Sequence, residues 1–249
     1  MTASADVRDR YGFRLRGIQS TRLESFVDAA FAFAVTVLVV GGSDVPTSIH
    51  GLLQAMKEVP VFLASFLIIA QVWWSHYSYS QRYGLDDGRT TLYSLALVFL
   101  VLVYVYPLKL LFTAFFGWIS DGWLLTRPLE LRGMADLKAM FALYGIAWAV
   151  LSLLMIALLR HAFSLREALA LDAAEQLHTR FDMIHWWVNL GFGLLSASIA
   201  LGMPERPPMN WMYGAPGLLY FGLGPSHAVL AWRRQRAMAK LSKVWARSG

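Results

Sequence analysis

One carboxylate stands where a carboxylate is costly. Asp28 lies in the run Arg22-Leu-Glu-Ser-Phe-Val-Asp-Ala-Ala-Phe-Ala-Phe-Ala-Val-Thr-Val-Leu-Val-Val40, which is apolar after its charged lead-in. A charge inside a membrane helix is retained for a partner or for a function. At about 100° per residue, Arg22, Phe26, Ala29, Phe33, Thr36, Val37 and Val40 share one helix face, and Asp28 lies about 140° from Phe33. That face carries no charge from Phe26 to Val40. It reads either as a packing seam or as the wall of a conduit with one hydroxyl, Thr36. Asp28 points the other way, toward a neighbouring helix. Trp73, Trp74 and His76 close the second apolar segment, and their ring N–H groups are suitable donors to a carboxylate. That cluster either staples the first two helices or handles protons or ions.

Other chemistries find little support. There is no cysteine, hence no thiolate metal site, disulfide or cysteine nucleophile, and no metal or cofactor is expected. No Gly-x-Ser-x-Gly, no His-Glu-x-x-His and no paired intramembrane aspartates occur, so an enzyme is not expected. A secondary transporter would favour matched halves with paired Gly/Pro-broken helices, and only the third apolar segment, with Pro107, is clearly interrupted. A transporter or a proton-conducting membrane protein stays open as the alternative reading.

The elements that must position these residues are membrane helices. The chain has 249 residues, 57% of them hydrophobic and 15% charged, with mean hydropathy +0.48. Six segments reach the length of about 20 residues that a span needs, at roughly 26–43, 59–79, 91–116, 139–160, 184–203 and 214–232. This predicts an all-α, polytopic membrane protein of six transmembrane helices in a single domain, 1–249. A basic arm (1–24) precedes the helices and a basic tail (233–249) follows them. Lys and Arg number 16 on the side that holds both termini and 6 on the other, which places both termini in the cytoplasm. The arm has no apolar core before a cleavage site, so no leader is expected. The location is the cell membrane, multi-pass. The net charge of +6 fits topology and anionic lipid rather than nucleic acid. Trp118, Trp123, Trp186, Trp187, Trp211 and Trp232 fall near predicted span ends, as an interfacial belt would. Residues 162–183 read as a membrane-surface helix or as an extension of the fourth span, and Pro107 should kink or break the third.

The first helix resembles the signature of the transmembrane protein 175 family: Arg, three residues, then Phe-Ser-Asp and an alanine-rich run holding a threonine. Arg22, Phe26, Asp28 and Thr36 match, and Val27 replaces the serine. The second segment, Phe62 to Ile69 with Trp73, Trp74 and His76, is similar to the family's second helix, and Leu97, Phe99, Tyr106 and Pro107 to its third. The resemblance implies a potassium-permeable cation channel, with K⁺ as permeant ion, in which four chains form a homotetramer in the lipid bilayer. It implies a pore lined by the first helix, here Phe26, Ala29, Phe33, Thr36, Val37 and Val40. Phe33 stands where the family places its main isoleucine constriction.

Overall fold

The computed structural model describes residues 7–9, 11–40, 46–126 and 130–248, and the side chains among these except at 40 and 242–248. The last residues of the first predicted span, 41–43, lie outside the described residues. In chain order the α-helices are α1 (Arg22–Val40), α2 (Ile49–Met56), α3 (Val59–Tyr83), α4 (Gly88–Ile119), α5 (Met134–Ser164), α6 (Ala173–Gly202), the single turn α7 (Ala215–Leu218) and α8 (Leu223–Ser248). Among the described residues no strand occurs, only an isolated bridge between Arg8 and Arg14. Helices α3, α4, α5 and α6 are each long and apolar enough to cross a membrane, so the chain is a multi-pass membrane protein.

Local chemistry sets the helix ends. At the start of α1 the Thr21 hydroxyl accepts from the Glu24 N–H, and the Glu24 carboxylate accepts from the Thr21 N–H, both at 3.2 Å. This reciprocal box satisfies two donors that a helix start leaves free. Asp87 caps α4 by accepting from the N–H groups of Arg89 and Thr90, both at 2.9 Å. Asp172 and Glu175 form the same reciprocal box at the start of α6. Helix α3 stops at Gly84, whose φ of 57° suits glycine and whose N–H closes onto Ser80 O.

Helices α5 and α6 form the tightest pair. A Cβ on Gly145 would meet Gly193 O at 2.6 Å, and one on Gly193 would meet Gly145 O at 2.8 Å. Ala149 and Ala197 flank the same crossing. Two small-x-x-x-small stretches thus face each other, which is how helices approach in lipid, where no hydrophobic force separates protein from solvent.

Several sequence expectations change. The sixth segment is not one helix: 214–222 runs as short 3-10 turns and α7, and the uninterrupted helix starts at Leu223. Pro216 at the start of α7 and the glycines at 214, 217, 222 and 224 account for the broken path. Residues 162–183 form no separate surface helix. α5 ends at Ser164, a turn follows, and α6 has begun by Ala173. Helix α4 runs through Pro107 without a break. Trp186 is no belt residue: it is 3% exposed and packs against Trp148 at 6.4 Å between centroids. The basic tail is the continuation of α8, and Arg234 lies 3.7 Å from Asp182 on α6.

The N-terminal arm is a strap on the bundle. Phe13 is 1% exposed and meets Tyr83 edge-on. The N–H groups of Arg16 and Gly17 donate to Gln81 O at 3.0 and 3.1 Å. Glu175, almost fully buried, accepts from the Arg14 N–H at 2.9 Å and pairs with the Arg16 guanidinium at 2.8 Å. Arg82 reaches Asp9 at 2.9 Å and Asp182 at 2.8 Å. Burial pushes the Asp9 carboxyl up, but the N–H groups of Phe13 and Tyr11 and the Arg82 guanidinium outweigh it and hold it below its ordinary range. The stability Asp9 adds is therefore present above its unfolded pKa and lost as pH falls through the lower folded value.

Removing one member of a buried ion pair costs about 3–5 kcal/mol, because the other is left uncompensated. Glu175→Ala should lower the melting temperature in detergent and speed tryptic cleavage after Arg14 and Arg16 at least tenfold. Cleavage at the wild-type rate would show that the arm is held by its backbone contacts alone.

Candidate pore helix and its anchors

Helix α1 has two sharply different faces. Val27, Phe31, Ala34 and Leu38 are 0–4% exposed and join the core formed with α3 and α4. Their spacing of four, three and four residues is that of one helical stripe. On the opposite side Ser25, Phe26, Ala29, Ala32, Phe33, Thr36 and Val39 are exposed, with Phe26 at 54% and Phe33 at 59%. Of the predicted stripe, Phe26, Ala29, Phe33 and Thr36 lie on this bare face and Arg22 is exposed at its start. Val37 is half-buried against the core, and the Val40 side chain lies outside the described residues. The exposed Thr36 hydroxyl donates to Ala32 O at 3.0 Å, which leaves its oxygen able to accept.

The predicted polar cluster separates into two contacts. Asp28 accepts from Trp73 Nε1 at 2.8 Å, joining α1 to α3 at the flank of the bare face, where its carboxylate stays exposed. His76 does not reach Asp28. It is 3% exposed, and its Nε2 lies 2.9 Å from Ser94 Oγ on α4. A step of three residues turns the helix by about 300°, so Trp73 and His76 serve adjacent neighbours. Trp74 is 53% exposed and forms, with Trp73 and Tyr77, an aromatic group with centroids 5.5–6.2 Å apart.

Lys109 is a contact that pattern reasoning missed. Its Nζ donates to Leu38 O at 3.3 Å and lies 3.7 Å from the Glu58 carboxylate. Glu58 is held in turn by the Thr126 hydroxyl at 2.7 Å. A cation at the last turn of α1 complements the carbonyl end of its dipole. The available signal was a lysine two residues after Pro107 in an otherwise apolar run. Ser94 gave no signal at all.

These features define a multi-pass helical membrane protein whose motif-bearing first helix is anchored at both ends and bare along one side. Residues 22–107 match the family described as endosomal/lysosomal potassium channel TMEM175. A protein of Marivirga tractuosa named potassium channel is 33% identical over 196 residues, covering 76% of this chain and 78% of its own. The crystal structure of a variant of the potassium channel MtTMEM175, in complex with a nanobody–MBP fusion protein, superposes with a TM-score of 0.75. It is 29% identical and covers 94% of this chain and 100% of its own. The chain belongs to the TMEM175 family.

The Asp28–Trp73 bond gives a direct test. A hydrogen bond to a charged group contributes about 1.5–3 kcal/mol when buried, and less at this exposed flank. Trp73→Phe and Asp28→Ala should each lower the melting temperature, while Asp28→Asn, which keeps an acceptor oxygen, should lower it least. If Asp28→Asn destabilises as much as Asp28→Ala, the charge and not the bond is what α1 needs.

Proposed function

We propose that the protein is a potassium-permeable channel, a homotetramer in which the bare face of α1 surrounds the ion path. The observation that carries this reading is the composition of that face. A lipid-facing stripe would be uniformly apolar, since lipid tails solvate Leu or Phe as well as protein does. Within the 26–43 span the bare face of α1 instead mixes Phe26, Phe33 and Val39 with the hydroxyl of Thr36 and the small Ala29 and Ala32, and Arg22 and Ser25 stand at its mouth. Polar groups at membrane depth face a bundle interior or water. The relatives are ion channels by name, and the same face lies on the helix that carries the family signature.

In this reading α1, α3, α4, α5, α6 and the 214–232 path cross the bilayer, which gives six spans and puts both termini in the cytoplasm. The lysine and arginine bias supports that orientation. Four copies of Phe33 then meet at one level. Rings at such a constriction disfavour water, and an ion that passes must shed part of its hydration shell. The Thr36 oxygen, one turn on, is the nearest side-chain acceptor able to replace a lost water. Trp74 and Tyr77 are exposed beside the Asp28–Trp73 bond, and in the proposed tetramer they would meet the neighbouring subunit. Asp28 is a positioning residue here, because its carboxylate is engaged with α3.

Flux from proteoliposomes under defined K⁺ and Na⁺ gradients tests the assignment. Phe33→Ala should raise cation leak and weaken discrimination between K⁺ and Na⁺, and Phe33→Ile should restore K⁺ preference. Unchanged flux in both variants at equal protein incorporation would make Phe33 ordinary packing and place any pore elsewhere.

A further inference from the structure

Away from α1, the turn that joins α5 to α6 carries a pair of cations on one aromatic ring. Arg166, just past the end of α5, and Arg180, on α6, both lie over the ring of Phe163, each with its guanidinium carbon 5.4 Å from the ring centroid. The two carbons are therefore no farther apart than twice that distance. The face of an aromatic ring attracts a cation, so each guanidinium is held by Phe163 although the two repel each other. Phe163 is half-buried, and Arg166 Nη1 also donates to Phe163 O at 3.4 Å.

The fold does not use these two charges. Arg14 and Arg16 close onto Glu175, and Arg82 and Arg234 onto Asp182. Arg166, by contrast, meets only Glu167, at 3.4 Å, and that carboxylate is 90% exposed. Such a solvated pair contributes little. Arg180 is exposed and pairs with no carboxylate among the described residues.

Their depth in the membrane follows from the length of α6. From Arg180 to Gly202 the helix rises about 33 Å at about 1.5 Å per residue, just over the hydrocarbon thickness of about 30 Å. The ion pair of Lys138 with Glu205 at 2.8 Å marks the surface beyond Gly202. Arg180 then stands at the headgroup level of the opposite surface, and its contact with Phe163 brings Arg166 to the same level. Below it, Ile184, Trp187 and Leu194 lie within about 40° of Arg180 around the helix. They are 45%, 48% and 52% exposed, an apolar stripe that leads from the cations into the bilayer. Helix α1 packs on α3 and α4, whereas α6 packs on α5 and α8, so the stripe belongs to the part of the subunit away from the proposed ion path.

We infer that this rim binds an anionic phospholipid, its phosphate between Arg166 and Arg180 and an acyl chain along Ile184, Trp187 and Leu194. The planar guanidinium fork matches the oxygens of a phosphate, which accept from its N–H groups. A net negative headgroup is required, because a choline headgroup brings its own cation to a place that already holds two. The chain, rather than a free phosphate, is what the apolar stripe adds. The inference needs only the membrane setting and is independent of conduction.

The test is native mass spectrometry of the full chain in mild detergent, titrated with palmitoyl-oleoyl phosphatidylglycerol or with the matched phosphatidylcholine. The expected result is one phosphatidylglycerol retained per chain, with at least tenfold weaker retention of phosphatidylcholine. Arg166→Gln with Arg180→Gln should weaken phosphatidylglycerol binding at least tenfold. Arg89→Gln with Arg233→Gln removes the same charge from two other exposed positions and should change it less than twofold. Phe163→Leu, which removes the ring and keeps both cations, should weaken it severalfold. All variants should keep the wild-type oligomeric mass. Equal retention of the two lipids by the wild type would overturn the inference. So would equal losses in the two double variants, which would make the attraction one of diffuse charge. Displacement of the lipid by glycerophosphoglycerol at equal concentration would overturn it too, since the site would then take a free phosphate and have no use for the chain.

Discussion

The rotation of α1 about its own axis is the constraint on which the rest depends. In lipid the burial of Val27, Phe31, Ala34 and Leu38 gains little from hydrophobicity itself, because the alternative neighbour is also hydrocarbon. What fixes the helix is close packing, with these four side chains almost fully enclosed, and polar contacts at set heights. The Thr21–Glu24 box sets the first turn. The Asp28–Trp73 bond sets the azimuth one turn later. Lys109 ties down the carbonyl end at Leu38. With those points held, Phe26, Ala29, Phe33 and Thr36 have one direction left to face.

The scaffold behind α1 is built to resist twisting. Helix α3 takes its partners on successive turns, Asp28 of α1 through Trp73 and Ser94 of α4 through His76. Its far end is gripped by the arm through Gln81 O and by the Arg82 bridge between Asp9 and Asp182. Because Arg82 and Arg234 both reach Asp182, the arm, α3, α6 and α8 share one ionic junction. Further along α6 the tight crossing at Gly145 and Gly193 fixes it against α5.

Periodicity made part of this legible in advance. The long apolar runs marked α3 to α6, and 100° steps along α1 separated Phe26, Ala29, Phe33 and Thr36 from Leu38 on the buried side. The signature residues pointed to a contact between Asp28 and the end of α3, and Trp73 provides it. Contacts between distant segments were hidden. Nothing in the sequence ties His76 to Ser94 or Arg16 to Glu175, since such pairs depend on tertiary placement. The arm read as a topology signal because its arginines serve both roles with the same composition. The 214–232 run failed as a single helix because hydropathy averages over Pro216 and its neighbouring glycines, whereas backbone geometry does not. Trp186 failed as a belt residue because α6 begins about ten residues earlier than its apolar part, which moves Trp186 from the helix end to its middle.

The central claim is that the bare face of α1 meets its own copies at a shared axis. The chain contains no cysteine, so single cysteines report without background. Phe33→Cys and Leu38→Cys should be oxidised in membranes and compared on denaturing gels. The account predicts disulfide-linked dimers for Phe33→Cys and none for Leu38→Cys, whose position is enclosed by its own subunit. Equal cross-linking at both positions, or cross-linking at Leu38 alone, would contradict it.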